Sequence, residues 1–175
     1  NMSAGINASK RVVIRLLGTE GVGKSEILYL LSEFAARGGA GGAVPGGCCI
    51  RMKGVELYIL ETHFSDFDAA VPEADMWYLV VGADDGPMDL DELLPGKDLK
   101  FKGVFFNKCD LIDYDDELIE LVQIDTCRQL YNSDVPYDNL KFIAGSARAA
   151  VYGQIEAGIS SLEELLKDIV ANLPW

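Results

Sequence analysis

Residues 18–25 read GTEGVGKS and match the pattern GxxxxGK followed by Ser or Thr in full. An apolar run, KRVVIRLL at residues 10–17, precedes them, and residues 24–37 carry their apolar side chains at helical spacing. This strand–loop–helix setting is typical of a loop that wraps phosphate with backbone N–H groups and with the positive end of the helix. We therefore predict a phosphate site formed by Gly18, Glu20, Gly21, Val22, Gly23, Lys24 and Ser25.

Two side chains of this phosphate loop carry chemistry of their own. Lys24 is placed to bring a point charge to the β and γ oxygens of a nucleotide, and Ser25 offers a hydroxyl to Mg²⁺. The pattern alone fits ATP and GTP equally well.

Residues 107–110, NKCD, indicate which base is bound. They directly follow the apolar run GVFF, so they sit at the end of a predicted strand. The carboxylate of Asp110 can accept both N–H groups of the guanine edge, a donor pair that adenine lacks. Asn107 and Lys108 belong to the same site, with the stem of Lys108 over the base plane. Residues 145–147, GSA, follow the next strand and are expected to bring backbone N–H groups to the guanine O6. The predicted base site thus also includes Ser146, Ala147 and Arg148.

Strand and helix patterns alternate along the rest of the chain. We predict strands at residues 10–17, 48–52, 55–60, 76–81, 103–106 and 141–144, the second and third forming a hairpin turned at Lys53 and Gly54. Residues 38–47, GGAGGAVPGG, are expected to form a low-complexity loop. The alternation predicts a doubly wound α/β sheet, in which ligands bind at the carboxyl ends of the strands.

Two further helices are predicted in the second half of the chain. The first spans residues 114–131, with Leu118, Ile119, Val122 and Leu130 on its apolar side. The second spans residues 161–172, begins with a capping box formed by Ser161 and Glu164, and ends before Pro174.

In the order of these motifs the chain resembles the P-loop GTPases of the translation-factor superfamily. Residues 80–147 are similar to the G domain of elongation factor Tu, through ADDGPM at 83–88, NKCDLID at 107–113, DELIELV at 116–122 and GSA at 145–147. The resemblance implies a three-layer, mostly parallel α/β sheet of the P-loop NTPase type. It also implies GTP or GDP as the ligand and Mg²⁺ as its metal.

The resemblance also implies two switch regions, and the sequence departs from both. No Ser or Thr lies between Ser32 and Thr62, although the first switch should supply a threonine to Mg²⁺ and the γ-phosphate. Glu61 stands where the resemblance implies a metal-associated Asp, so Ser25 and Glu61 are the candidate metal ligands. No glycine follows Glu61 within residues 62–81 to contact the γ-phosphate. A carboxylate at Glu20 would repel phosphate charge.

His63 is the one histidine of the sequence. It lies near the position of the water-positioning histidine of the elongation factors, and this makes it the candidate catalytic residue. An ordinary packed or surface histidine is the alternative.

Composition sets the remaining expectations. The 175 residues fit a single domain over 1–175, with residues 1–9 a flexible segment in which Asn1 before Met2 resembles a tag remnant. A net charge of -13 without a Lys/Arg cluster disfavours stable nucleic-acid binding by this domain. No apolar run reaches the roughly 18 residues of a membrane span. Four cysteines without paired spacing and the lack of a signal sequence suggest a reducing, cytoplasmic location.

Three functions fit these patterns. The first is a GTP- and GDP-binding protein with weak or no hydrolysis, and with affinities for the two nucleotides within about tenfold of each other. The second is a working GTPase that orders its switches only with a protein partner. The third is a scaffold that keeps the fold without nucleotide function. The intact phosphate loop and NKCD favour the first over the third, and the altered switches favour it over the second.

Overall fold

The computed structural model describes residues 10–68 and 70–174, and the predicted flexible segment 1–9 lies outside them. The described strands are β1 Lys10–Gly18, β2 Gly41–Val44, β3 Gly47–Met52, β4 Val55–His63, β5 Met76–Gly82, β6 Phe101–Asn107 and β7 Lys141–Ala144. They form one sheet in the order β2-β3-β4-β1-β5-β6-β7. Strand β3 pairs antiparallel with both of its neighbours, and the other adjacent strands pair in parallel.

Helices cover both faces of this sheet. They are α1 Lys24–Arg37, α2 Leu90–Leu93, α3 Asp116–Asn132, α4 Ala147–Val151 and α5 Ser160–Ala171, with 3₁₀ turns at Phe64–Asp68 and Cys109–Ile112 and a π-helical turn at Ile155–Ile159. No helix within residues 10–68 and 70–174 has the length and apolar character needed to cross a bilayer.

Successive residues of β1 show how the layers are held together. Leu16 packs into a core with residues of α1 and α5, whereas Leu17 packs into a second core with Leu90 of α2 and Leu130 of α3. The two side chains point to opposite faces because strand residues alternate. Strand β5 is buried at every position, as expected for a central parallel strand. The predicted three-layer, doubly wound α/β fold is therefore confirmed.

The predicted loop at residues 38–47 is wrong, since it contains the edge strand β2 and the start of β3. Glycine made this segment look unstructured, but ladder hydrogen bonds come from the backbone and need no side chain. A Cβ atom at Gly41 would overlap the carbonyl oxygen of Cys49, and one at Gly47 would overlap that of Ile59. These glycines allow the strands to approach closely.

Helix α3 begins two residues later than predicted. The side chain of Asp115 accepts hydrogen bonds from the backbone N–H groups of Glu117 and Leu118 at 2.9 and 3.2 Å and thereby caps the helix. Leu118 does not lie on the apolar side as predicted, because it is 43% exposed. The predicted Leu130 is fully buried, and Val122 packs against the same core.

The predicted capping box at Ser161 is also wrong. The π-helical turn Ile155–Ile159 runs directly into α5, so the backbone is already helical before Ser161. The buried Ser161 hydroxyl instead donates to the carbonyl oxygen of Gly158 at 2.6 Å. Glu164 forms an ion pair of 3.1 Å with Lys141.

Candidate functional site

The carboxyl ends of four parallel strands meet at one edge of the sheet. Gly18 at the end of β1 pairs in register with His63 at the end of β4. On the other side of β5, β6 ends at Asn107, and β7 ends at Ala144, two residues before Ser146. This register brings the phosphate loop, the NKCD segment and residues 145–148 to one cleft, as the sequence predicts for a doubly wound sheet.

The phosphate loop presents backbone donors to the cleft. Gly23 precedes helix α1 with a φ of 99°, and no side chain caps the helix. The first N–H groups of a helix have no intrahelical partner, so an uncapped first turn is suited to an anion. A Cβ atom at Gly23 would overlap the side-chain amide of Asn107. Glycine here therefore meets both a backbone and a packing requirement.

Lys24 is 3% exposed, and its ammonium group forms hydrogen bonds with other groups of the protein. Its Nζ donates to the carbonyl oxygens of Gly18 and Thr19 at 2.6 and 2.9 Å and lies 3.0 Å from Nδ1 of His63. Burial lowers the pKa of Lys24 to about 8, against the opposing effect of nearby carboxylates. The lysine is thus held at the loop in a charged form at neutral pH.

The two predicted metal ligands lie together. The Ser25 hydroxyl donates to a carboxylate oxygen of Glu61 at 2.8 Å. A hydroxyl and a carboxylate are the oxygen ligands that Mg²⁺ accepts, so the donor set fits this metal. Within residues 10–68 and 70–174, no group of three or more His, Cys, Asp or Glu side chains is arranged to hold a metal. A Mg²⁺ ion here would take its other ligands from phosphate and water.

Asn107 joins the loop to the predicted base site. It is 2% exposed, its Nδ2 donates to the carbonyl oxygen of Val22 at 2.9 Å, and its Oδ1 accepts from the N–H of Ala147 at 2.9 Å. The side chain therefore ties together three segments that are far apart in the sequence. Asn107 therefore connects the phosphate loop to the segment of residues 145–148.

Asp110 and Lys108 line the cleft next to Gly21 and Gly23. The Ser146 hydroxyl donates to Oδ1 of Asp110 at 2.9 Å and also accepts from the N–H of Ala149, which caps helix α4. The carboxylate is thus oriented by a buried serine while lining the cleft, which agrees with the predicted grouping of these residues.

The N–H groups of residues 145–147 all have partners in this structure. Those of Gly145, Ser146 and Ala147 donate to Phe106 O, Ala157 O and Asn107 Oδ1 at 2.9, 2.8 and 2.9 Å. A contact between these groups and a guanine O6 would require one of them to be shared.

Glu26, a charged residue that lines the cleft, was not predicted from the sequence, and it pairs with the predicted base-site residue Arg148. Arg148 lies at the mouth of the cleft, where its Nε is 3.3 Å from both carboxylate oxygens of Glu26. Glu26 directly follows Ser25 in helix α1, so the ion pair joins opposite walls of the cleft. The sequence signal for this ion pair was an acidic residue directly after the phosphate loop and a basic residue directly after residues 145–147.

Comparison with known proteins identifies the fold. No protein-family model matches the sequence. The structure is similar to that of translation elongation factor SelB from Methanococcus maripaludis in its apo form, with a TM-score of 0.62 and 18% sequence identity. The match covers 93% of this chain and 34% of that chain, so the chain spans about a third of the length of SelB. The chain has the doubly wound α/β fold of a translation-factor G domain.

Proposed function

We propose that this chain binds GDP and GTP, with Mg²⁺, at the carboxyl edge of its sheet and hydrolyses GTP weakly or not at all. In this proposal it is a G domain over residues 1–175, related to the elongation factor Tu GTPases. The observation that supports the proposal most strongly is the double hydrogen bond of Asn107, which holds the phosphate loop against the segment that carries Asp110. A loop for phosphate and a carboxylate for guanine thus share one cleft.

The geometry of Asp110 supports selectivity for guanine. One of its oxygens accepts from Ser146, which leaves lone pairs of the carboxylate for two further donors. Guanine offers such a pair of N–H groups on its Watson–Crick edge, whereas adenine does not. Losing two hydrogen bonds to a buried polar site costs on the order of 2–4 kcal/mol. GDP should therefore bind far better than ADP.

Two features support weak hydrolysis. The segment where the resemblance implies a mobile threonine is occupied by strand β2, whose residues GGAV carry no hydroxyl. After Glu61, strand β4 continues to His63 and runs into the 3₁₀ turn Phe64–Asp68, and this stretch contains no glycine. Donors on the γ-phosphate stabilise charge in the transition state, so turnover suffers when they are missing. Contacts to the base and to the first two phosphates do not depend on them.

A reducing compartment, the cytoplasm, is the proposed location of this protein. Cys48, Cys49 and Cys109 are buried free thiols and Cys127 is partly exposed, which suits a reducing cytoplasm. A protein partner that orders the switches is the alternative to weak hydrolysis.

The test is a calorimetric titration of the nucleotide-free protein with GDP, GTP and ADP in the presence of Mg²⁺. We expect binding of both guanine nucleotides and at least tenfold weaker binding of ADP. Lys24→Ala should weaken GDP binding strongly, while Lys53→Ala, in the β3–β4 turn, serves as the matched control. Equal affinity for ADP and GDP would refute the base assignment. Unchanged GDP binding in Lys24→Ala would favour the scaffold alternative.

A further inference from the structure

We propose that the side chain of His63 takes the place of a terminal phosphate at Lys24 and makes this site selective for a nucleoside diphosphate over the triphosphate. The inference rests on the proposed function, because it assigns to the same cleft a preference between its two ligands. His63 is then a specificity-determining residue.

The ammonium group of Lys24 has a partner for each of its hydrogen-bond donors. A lysine ammonium has three donors. Two are directed to the backbone carbonyl oxygens of Gly18 and Thr19, within the phosphate loop itself. The third meets Nδ1 of His63 at 3.0 Å. A further oxygen that approaches Lys24 must therefore replace the imidazole or share its donor.

His63 contacts Lys24 where a γ-phosphate would bind. The backbone N–H groups of a phosphate loop cradle the α- and β-phosphates, and its lysine extends to the β- and γ-phosphates. His63 is not part of the loop but the last residue of β4, and its Nε2 lies 4.0 Å from the candidate metal ligand Glu61, so it meets Lys24 on the side of that ligand. This is the side on which the γ-phosphate would lie, so the imidazole competes with the γ-phosphate more than with the β-phosphate.

Backbone contacts hold His63 in place. Its Cα is paired in register with that of Gly18 at the ends of β4 and β1. Its N–H donates to a carboxylate oxygen of Asp66 at 3.0 Å, at the start of the 3₁₀ turn. The imidazole Nε2 lies 4.0 Å from Glu61. The pairing of β4 with β1 therefore positions the imidazole ring next to Lys24.

The charges around Lys24 also favour a diphosphate over a triphosphate. Glu61, Asp66 and Glu20 are close enough to stabilise its ammonium form electrostatically. The same carboxylates repel an incoming anion, and the repulsion grows with the charge that the γ-phosphate adds. A diphosphate, cradled by the loop, extends less far toward them.

The experiment compares the affinities of GDP and of a non-hydrolysable GTP analogue, both with Mg²⁺, for the parent protein and two variants. His63→Ala removes the imidazole, whereas His63→Asn keeps a short side chain with an acceptor near the position of Nδ1. We expect the parent to bind GDP about three- to tenfold more tightly than the analogue. His63→Ala should raise analogue affinity by about fivefold and change GDP affinity less than about twofold. His63→Asn should keep most of the parent's preference.

The outcomes separate this inference from the proposed function. If GDP binds the parent and His63→Ala leaves the ratio of the two affinities unchanged, the inference is overturned and the proposed function stands. If His63→Asn loses the preference as fully as His63→Ala, occupancy of Lys24 by an acceptor is not its cause, and the inference is likewise overturned. If neither ligand binds the parent or the variants, both fail. Melting temperatures of the three proteins show whether a variant acts through the fold instead.

Discussion

Asn107 donates a hydrogen bond of 2.9 Å to the carbonyl oxygen of Val22, which lies 85 positions earlier in the sequence. Replacing Asn107 by Ala leaves this oxygen and the N–H of Ala147 without their partner in a buried place. Such a loss costs about 1–3 kcal/mol. We expect Asn107→Ala to lower the free energy of unfolding by this amount, measured by urea denaturation, and to weaken GDP binding. The exposed Asn132, at the end of α3, supplies the control variant Asn132→Ala, which should change neither quantity.

Asp110→Asn should change which base is bound. The amide of Asn presents N–H donors toward the guanine edge, which itself presents donors, so GDP affinity should fall. Xanthine carries a carbonyl oxygen where guanine has its amino group and can accept from the new amide. We expect xanthosine diphosphate to bind Asp110→Asn better than GDP does, and the parent to show the reverse order. A variant that still prefers GDP would contradict the role of Asp110 in reading the base.

Turnover of GTP should be slow without a partner. Strand β2 offers no threonine hydroxyl to the γ-phosphate, and the 3₁₀ turn after β4 offers no glycine N–H. We expect a single-turnover rate, measured with radiolabelled GTP, no faster than about 10⁻⁴ per second, the scale of unassisted small GTPases. Turnover within seconds would instead support a working GTPase, and a fast His63→Ala variant would then exclude His63 from the chemistry.

Alkaline pH should destabilise the fold through its buried thiols. Burial raises the pKa of Cys48 to about 12 and that of Cys109 to about 11. Unfolded thiols ionise near pH 8.5, so above that value the unfolded chain loses protons that the folded chain keeps. The stabilisation is complete below about pH 8.5 and is lost as the pH rises toward the folded pKa values, by up to about 1.4 kcal/mol per pH unit for each group.

The measurement is urea denaturation at several pH values between 7.5 and 10.5. Cys48→Ala should show a shallower fall in the free energy of unfolding than the parent does. Cys127→Ser serves as the control because Cys127 is only partly buried, and it should keep most of the parent's slope. Identical slopes in all three proteins would contradict the contribution of Cys48.

The central architecture could be predicted because local pattern and tertiary fold agree there. Helix α1 begins at Lys24 and ends at Arg37, as the apolar spacing and the two glycines after it predict. Strand β7 spans Lys141–Ala144 as predicted, and the grouping of Gly23, Asn107 and Asp110 followed from the rule that parallel strands end at one edge.

Other features could not be predicted because they depend on three-dimensional contacts that the sequence alone does not reveal. The contact between Lys24 and His63 is set by the register of β1 and β4, which pairs Gly18 with His63. The start of α5 is hidden because a π-helical turn supplies the helix entry that Ser161 was expected to cap. Leu118 has the spacing of a core residue, but it lies in the first turn of α3 and is exposed there.

The glycines at the sheet edge determine which positions of residues 38–47 can be substituted during evolution. In the run GGAGGAVPGG, a side chain at Gly41 or Gly47 would push β2 from β3 or β3 from β4, whereas a Cβ atom at Gly42 meets nothing within 4 Å. Positions that look interchangeable are therefore under very different selective constraint. Over many generations Gly42 is free to acquire a polar side chain, even a hydroxyl, while Gly41 and Gly47 stay glycine. The edge beside the phosphate site can thus gain new chemistry by single substitutions without loss of the sheet.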